Sequence, residues 1–274
     1  MGKLNIWKYE INNELIHKKI PKGIFFICQK ASLKYLKIYD IIIKDSKVRK
    51  GGCFMARRRL SISYKMLVIL SLLVGITLNL INTSSVPALL SYYTLQSNII
   101  CLVAFACFLY LEIQNVTVRS DVYYLIKGAV VIAIFITAFV YTCTLAPMNF
   151  EMDALQKSVA NKRVANLFVH TKSPILVIAD YFLYDEKGRF KNYYPIIWLV
   201  IPFDYVLYVY LYSFSGGQFY SIGGSREFAY FFLDYQEIGY LGVAKWLLLI
   251  TGGILAISFL LVLIDSKLGE KRRS

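Results

Sequence analysis

Two residues of this chain, a threonine and a histidine, could together carry out nucleophilic catalysis within a membrane. A histidine that removes the proton of a hydroxyl group turns that hydroxyl into a nucleophile for acyl transfer. Thr94 and His170 each lie close to the start of a long apolar run. If both runs are helices that cross the membrane in the same direction, the hydroxyl and the imidazole lie at similar depth. Thr94 is therefore a candidate nucleophile and His170 a candidate general base.

Polar neighbours of these two residues suit the same chemistry. Gln96 and Asn98 follow Thr94 and could donate hydrogen bonds to a developing oxyanion. Asn166 lies one helical turn before His170 and could orient the imidazole ring. The alternative is structural, because a threonine in a membrane helix often bonds a backbone carbonyl, and small polar residues commonly hold such helices together. The sequence is compatible with both interpretations.

The composition of the chain favours lipid as the solvent of these helices. Hydrophobic residues make up 57% of the chain and aromatic residues 16%, more than a soluble core of this size could bury. A helix needs about 20 apolar residues to cross the hydrocarbon layer of a bilayer. We predict an all-α polytopic membrane helix bundle of six transmembrane helices. The predicted spans are residues 66–81, 92–112, 126–146, 165–184, 195–213 and 240–264.

The distribution of basic residues predicts the orientation of the bundle. Lysine and arginine cluster before the first predicted span, between the fourth and fifth spans, and after the sixth. Such clusters remain on the cytoplasmic side of membrane proteins. We therefore expect the N- and C-termini of the membrane domain to be cytoplasmic, in a multi-pass protein of the cell membrane.

The basic character and the cysteines of the chain point to no soluble partner. The net charge of +14 is spread between apolar runs and does not form one patch, so no nucleic-acid partner is predicted. The five cysteines lack the spacing of a disulfide framework or a zinc site, and the chain has no Gly-rich phosphate loop. We expect membrane lipid as the partner, without a metal or cofactor. The oligomeric state has no signature in the sequence.

Residues 1–54 differ from the remainder of the chain. They contain 12 Lys or Arg against 4 Asp or Glu and no run long enough to cross a bilayer. Lys50-Gly51-Gly52 could be encoded by a purine-rich ribosome-binding sequence, and Met55 followed by Ala-Arg-Arg-Arg resembles a start. Residues 1–54 are thus either a translated leader or a basic cytoplasmic arm on anionic lipid. The membrane domain is predicted at residues 55–274.

Further polar residues suggest a lid and buried ion pairs. Residues 213–237 are rich in Gly, Tyr and Phe, too polar to span and too aromatic for a plain linker, and we expect them to fold over the outer face. Tyr230 and Asp234 are the candidate lid residues. Asp180 and Asp204 of the fourth and fifth spans would pair with each other's neighbours or with Lys172 or Lys245, and the sequence leaves their partners open.

Three stretches of the chain carry a resemblance to a known family. They are residues 92–98 (YYTLQSN), residues 166–174 (NLFVHTKSP) and residues 230–234 (YFFLD), with Gly239 behind the last. The chain from Met55 onward resembles the androgen-induced and androgen-dependent (ADTRP-like) membrane hydrolase family in its bacterial branch. The resemblance implies a six-helix intramembrane hydrolase with a threonine nucleophile and a histidine base.

The resemblance also implies roles for particular residues. By motif, Thr94 matches the nucleophile, His170 the base and Asn166 the asparagine one turn before the base. Animal members cleave esters of fatty acids with hydroxy fatty acids, so a lipid ester is the expected substrate. The alternative function is a non-catalytic lipid-binding or transport-related membrane protein, in which the same polar residues hold helices together.

Overall fold

The computed structural model describes most of the predicted membrane domain. The described residues are 52–83, 85–116, 120–145, 159–221 and 224–271. Residues 1–51 lie outside this part, so the two interpretations of the basic extension stay predictions.

The first half of the described chain is helical. It contains α1 at Gly52–Asn82, α2 at Val86–Leu90, α3 at Tyr93–Ile113, and α4 at Asp121–Val140, which continues into a π-helical turn at Tyr141–Leu145. A second π-helical turn, Phe168–Lys172, joins α5 at Val159–Leu167 to α6 at Ser173–Tyr184. Because these three segments follow one another without a gap, they form one continuous element, the α5–α6 rod.

The second half consists of helices and one small hairpin. It contains α7 at Tyr194–Trp198, α8 at Val200–Phe214, the antiparallel strands β1 at Phe219–Ser221 and β2 at Gly224–Arg226, a 3₁₀ turn at Phe231–Leu233, and α9 at Tyr235–Lys271. Gly239, with φ of +70°, introduces a kink near the start of α9. A positive φ of this size is accessible to glycine at little cost.

Five helices of the described residues are long and apolar enough to cross a membrane. They are Arg57–Asn82, Tyr93–Ile113, Asp121–Cys143, Tyr194–Phe214 and Tyr235–Lys271. These five correspond to five of the six predicted spans, so a helical multi-pass membrane protein agrees with the structure. The fourth predicted span, 165–184, is also helical but is not among the five. It contains a π-helical turn, a histidine, a lysine and an aspartate.

Helix α1 begins well before the predicted first span because its basic segment is tied to a neighbouring helix. The Arg58 guanidinium donates to the backbone carbonyl of Glu112 at 2.8 and 3.1 Å and to that of Ile113 at 2.9 Å. These carbonyls belong to the last turn of α3, where no backbone N–H within the helix can satisfy them. A cation there also offsets the negative end of the helix dipole.

The helices that carry the candidate site pack around a shared apolar core. Helix α1 lies against α3 and the α5–α6 rod, and α4 lies against α3 and α6. Leu72 of α1, Phe105 of α3, Ile134 of α4 and Val177 of α6 are all completely buried where these elements meet. This packing places the first turn of α3 beside the middle of the rod.

Two aromatic rings from the segment between α8 and α9 pack over the start of α3. The ring of Phe219 lies 5.1 Å from that of Tyr92, and the ring of Tyr230 lies 6.1 Å from it. Asp234 has a different role, since its carboxylate accepts from the backbone N–H groups of Gln236 and Glu237 and caps α9. Of the two lid candidates, only Tyr230 covers the start of α3.

Candidate active site

Thr94 is buried in the first turn of α3, under the lid. It is 4% exposed, and its side chain lies beside the phenol of Tyr230. Burial raises the pKa of the Tyr230 phenol to about 12, although the interaction with Thr94 opposes this rise. The phenol is therefore protonated at neutral pH and is able to donate a hydrogen bond at this position.

His170 lies in the π-helical turn of the α5–α6 rod and is also 4% exposed. Its ring stacks on the ring of Tyr141, with centroids 3.7 Å apart and planes 10° from parallel. Tyr141 is itself the first residue of the other π-helical turn. Such turns change which side chains face the bundle interior and are common at functional sites. The two π-helical turns thus place these two rings opposite each other.

The two ring nitrogens of His170 have different surroundings. Nδ1 is fully buried and has no hydrogen-bond partner. The backbone of Thr137 interacts with the ring. In the tautomer that carries its proton on Nε2, Nδ1 has a free lone pair.

Asn98 connects the backbone beside Thr94 to the backbone beside His170. Its Nδ2 donates to the carbonyl oxygen of Thr94 at 2.7 Å and to that of Val169 at 3.2 Å. Its Oδ1 is buried and has no hydrogen-bond partner. This side chain thus links the first turn of α3 to the π-helical turn of the rod. Two unpartnered polar atoms, Asn98 Oδ1 and His170 Nδ1, occur in this region.

A second polar link joins α3 to α4 in the same region. The Ser97 hydroxyl donates to the carbonyl oxygen of Thr94 at 3.0 Å and lies 2.6 Å from Oγ1 of Thr137. Thr137 also interacts with the imidazole of His170 through its backbone. Ser97 therefore acts as a contact between helices, the structural role that small polar residues often have in membranes.

The remaining sequence candidates lie at the edge of this cluster. Gln96 donates from Nε2 to the carbonyl oxygen of Leu90 and so fastens α2 to α3. Asn166 is half-buried one turn before His170, whose ring is held by Tyr141 and Thr137. Within the described residues, Thr94 and His170 are not hydrogen-bonded to each other.

The structure gives Asp180 partners that differ from those expected. Its carboxylate lies 3.3 Å from Nζ of Lys65 and forms a closer ion pair with Lys127. Lys127 also lies 3.1 Å from Asp185, and Lys65 lies 3.0 Å from Glu112. The expectation that Lys172 or Lys245 neutralises Asp180 is therefore wrong. The charge of Lys127 inside the third predicted span was the sequence signal for this network.

A second buried carboxylate fastens the loop before α7 to α9. Asp265 accepts from the backbone N–H groups of Gly188, Arg189 and Phe190 at 2.9, 2.7 and 2.8 Å, and from the hydroxyl of Tyr181. Several N–H donors stabilise a buried carboxylate without a cation. Asp204 of the fifth predicted span, in contrast, is exposed on α8.

Comparison with family models, curated proteins and solved structures finds no match to this chain. The resemblance to the androgen-induced and androgen-dependent family therefore stays a prediction. Within the described residues, no three His, Cys, Asp or Glu side chains come together as metal ligands.

Proposed function

We propose that this chain is a six-pass membrane protein in which the α5–α6 rod is the remaining span. The rod is longer than the roughly 20 residues that a bilayer requires. It packs against α1 and α4, which are themselves candidate spans. The rod buries its polar residues Asp180, His170 and Ser173 against protein. The surface that it presents to lipid is therefore more apolar than the average composition of the rod. Charged groups in spanning helices face the bundle interior in this way.

Both ends of the membrane domain are cytoplasmic in this proposal. Arg57, Arg58 and Arg59 at the start of α1 lie at the same end of the bundle as the 185–193 loop, since Arg57 donates to the Leu183 carbonyl. Lys187, which follows that carbonyl, is part of the same loop. Six spans bring the C-terminal lysines and arginines back to this end, and basic residues favour the cytoplasmic side.

We further propose that the Thr94 and His170 region is the active site of an intramembrane lipid-ester hydrolase. Oγ1 of Thr94 attacks the ester carbonyl while Nδ1 of His170 takes the hydroxyl proton, and that proton then passes to the leaving alcohol. Water attacks the resulting acyl-threonine, with Nδ1 of His170 again accepting the proton, and releases the acid and free Thr94. The observation that carries the proposal is the unpartnered Nδ1 of a buried histidine in the same polar region as the threonine.

Tyr230 has a specific place in this mechanism. Its phenol lies beside the Thr94 side chain, the position that an ester carbonyl must approach. A protonated phenol there would donate to the oxyanion of the tetrahedral intermediate once Thr94 turns toward His170. The lid would then supply part of the catalytic machinery.

The alternative is a non-catalytic protein that binds or moves lipid. The observation in its favour is that Thr94 lies beside Tyr230, while Ser97, Asn98 and Thr137 bond between helices. In this interpretation the whole cluster holds α3, α4 and the rod together and performs no chemistry.

A fluorophosphonate probe distinguishes the two functions, because it reacts covalently only with an activated hydroxyl. We expect the purified wild type to be labelled, labelling to disappear in Thr94→Ala, and its rate to fall about 10²–10⁴-fold in His170→Gln. Thr251→Ala on α9 removes a comparable hydroxyl elsewhere and should be labelled like the wild type. A folded wild type that neither takes up the probe nor hydrolyses lipid esters would support the non-catalytic alternative.

A further inference from the structure

A groove on the outside of the bundle separates α1 from the α5–α6 rod. It has a volume of about 460 Å³ and is lined by Leu67, Leu70 and Val74 of α1 and by Phe168, Ile175 and Leu176 of the rod. Leu70 is 58% exposed and Ile175 is 61% exposed, so the groove opens away from the protein interior. In a membrane it would face lipid. Its volume is within the range of about 300–1,000 Å³ that is typical of small-molecule sites.

Lys172 is a cation that lines this groove. Its side chain is exposed, and its Nζ lies 4.6 Å from the centroid of the Phe168 ring. Among the described residues no carboxylate pairs with it, because Asp180 is neutralised by Lys65 and Lys127. A lysine that faces lipid is unfavourable unless an anion or the membrane surface compensates its charge.

The direction of the Lys172 side chain relates the groove to the membrane surface. The hydroxyls of Ser71 and Ser173 lie 2.8 Å apart, so Lys172 starts beside the middle of α1. Its Nζ extends back toward Phe168, which lies beside Gly75, about 10 Å before the end of α1 by the helical rise. The ammonium therefore extends from the apolar groove toward the nearer membrane surface, as snorkelling lysines do.

We propose that this groove binds an anionic phospholipid, with one acyl chain along the apolar walls and the phosphate at Lys172. The apolar walls fit a chain. The Lys172 ammonium, which pairs with no carboxylate of the described residues, fits the charge of a phosphate, to which lysine binds as a point charge. His170 lies on the other side of the rod, against Tyr141. The lipid site is therefore separate from the proposed active site and does not depend on catalysis.

The test compares two lipids on the full chain purified in detergent. Phosphatidylglycerol and phosphatidylcholine with the same acyl chains are titrated, and bound lipid is counted by native mass spectrometry. We expect phosphatidylglycerol to bind about fivefold more tightly, the preference that one lysine near a charged lipid surface provides. Lys172→Gln should remove this preference. Lys245→Gln, which neutralises an exposed lysine of α9 outside the groove lining, should retain it.

A second variant tests the groove itself. Ile175→Trp places a larger ring in an exposed position of the groove and should weaken the binding of both lipids without changing the unfolding temperature. Three results would overturn the proposal. The first is a preference for phosphatidylglycerol that survives in Lys172→Gln, and the second is unchanged lipid binding in Ile175→Trp. The third is that glycerol phosphate, which has the anion but no acyl chain, displaces bound lipid as well as phosphatidylglycerol does.

Discussion

At the scale of single residues, the site depends on which hydrogen bonds the buried groups already make. Nδ1 of His170 is buried without a hydrogen-bond partner, while the Thr94 side chain lies beside the Tyr230 phenol. The proposed catalytic cycle requires the Thr94 hydroxyl to turn toward the imidazole. Threonine in a helix populates two χ1 rotamers, which provides a motion of this kind.

The Tyr230 hydroxyl offers the sharpest test at this scale. Tyr230→Phe keeps the ring contacts with Tyr92 and Tyr205 but removes the proposed oxyanion donor. We expect the rate of fluorophosphonate labelling to fall by about 10²–10³, the usual effect of losing one such donor. Tyr240→Phe, on an exposed ring of α9, is the matched control and should be labelled normally. Normal labelling of Tyr230→Phe would mean that Tyr230 covers Thr94 without taking part in catalysis.

Sequence reasoning singled out Thr94 and His170 but not their contacts. Counting helices places both residues near the starts of parallel spans, and the structure buries both near Asn98. The stacking of His170 on Tyr141 depends on two π-helical turns, and the extra residue in such a turn rotates every later side chain. The sequence has no simple periodic signal for this shift, so the ring partner could not be predicted.

At the scale of elements, buried charges join α1, α4 and the rod. Asp180 is completely buried between Lys65 and Lys127, one from α1 and the other from α4. Asp180→Asn removes the carboxylate that contacts both lysines and leaves each with one partner, Glu112 for Lys65 and Asp185 for Lys127. Breaking a buried ion pair costs about 3–5 kcal/mol. We expect unfolding in detergent at a clearly lower denaturant concentration.

The exposed Asp204 provides the control for Asp180. Asp204→Asn on α8 makes the same chemical change at an exposed position. Its effect on the free energy of unfolding should remain within about 0.5 kcal/mol. If the two variants unfold at the same denaturant concentration, the ion pairs of Asp180 do not hold these helices together.

The contact between α4 and α7 depends on the absence of a side chain. A Cβ added to Gly128 would lie 2.0 Å from Cζ2 of Trp198, whose ring is buried and whose Nε1 donates to the Leu125 carbonyl at 2.9 Å. Gly128→Ala must displace this ring, and overpacking of this kind costs about 1–3 kcal/mol. Gly252→Ala meets nothing within 4 Å and should unfold like the wild type. Equal stability of the two variants would contradict this account.

The sequence predicted most helices of the bundle, and its errors have physical causes. Five predicted spans correspond to helices apolar enough to cross a membrane. The α5–α6 rod places His170 and Asp180 in the protein interior and is therefore less apolar on average. A criterion based on average composition therefore does not count it among the candidate spans. The partners of Asp180 could not be read from the sequence, because Lys65 and Lys127 come near it only through helix packing.

At the scale of the whole molecule, the orientation depends on whether the rod crosses the membrane. With the rod as a sixth span, the two ends of the membrane domain share one side. Without it, the C-terminus would lie opposite the start of α1. Reporter fusions in a bacterial host separate these cases, because green fluorescent protein fluoresces in the cytoplasm and alkaline phosphatase is active only outside it.

We expect a fluorescent reporter after Ser274 to be bright and a phosphatase at the same position to be inactive. A phosphatase inserted at Gly216, in the exposed turn after α8, should be active, because five spans precede it. Active phosphatase after Ser274 would mean that the rod does not cross. Thr94 and His170 would then no longer lie at matched depth on parallel spans. Asn98 would still join the backbone beside Thr94 to that beside His170, so the phosphatase tests the six-span proposal while the fluorophosphonate probe tests the hydrolase.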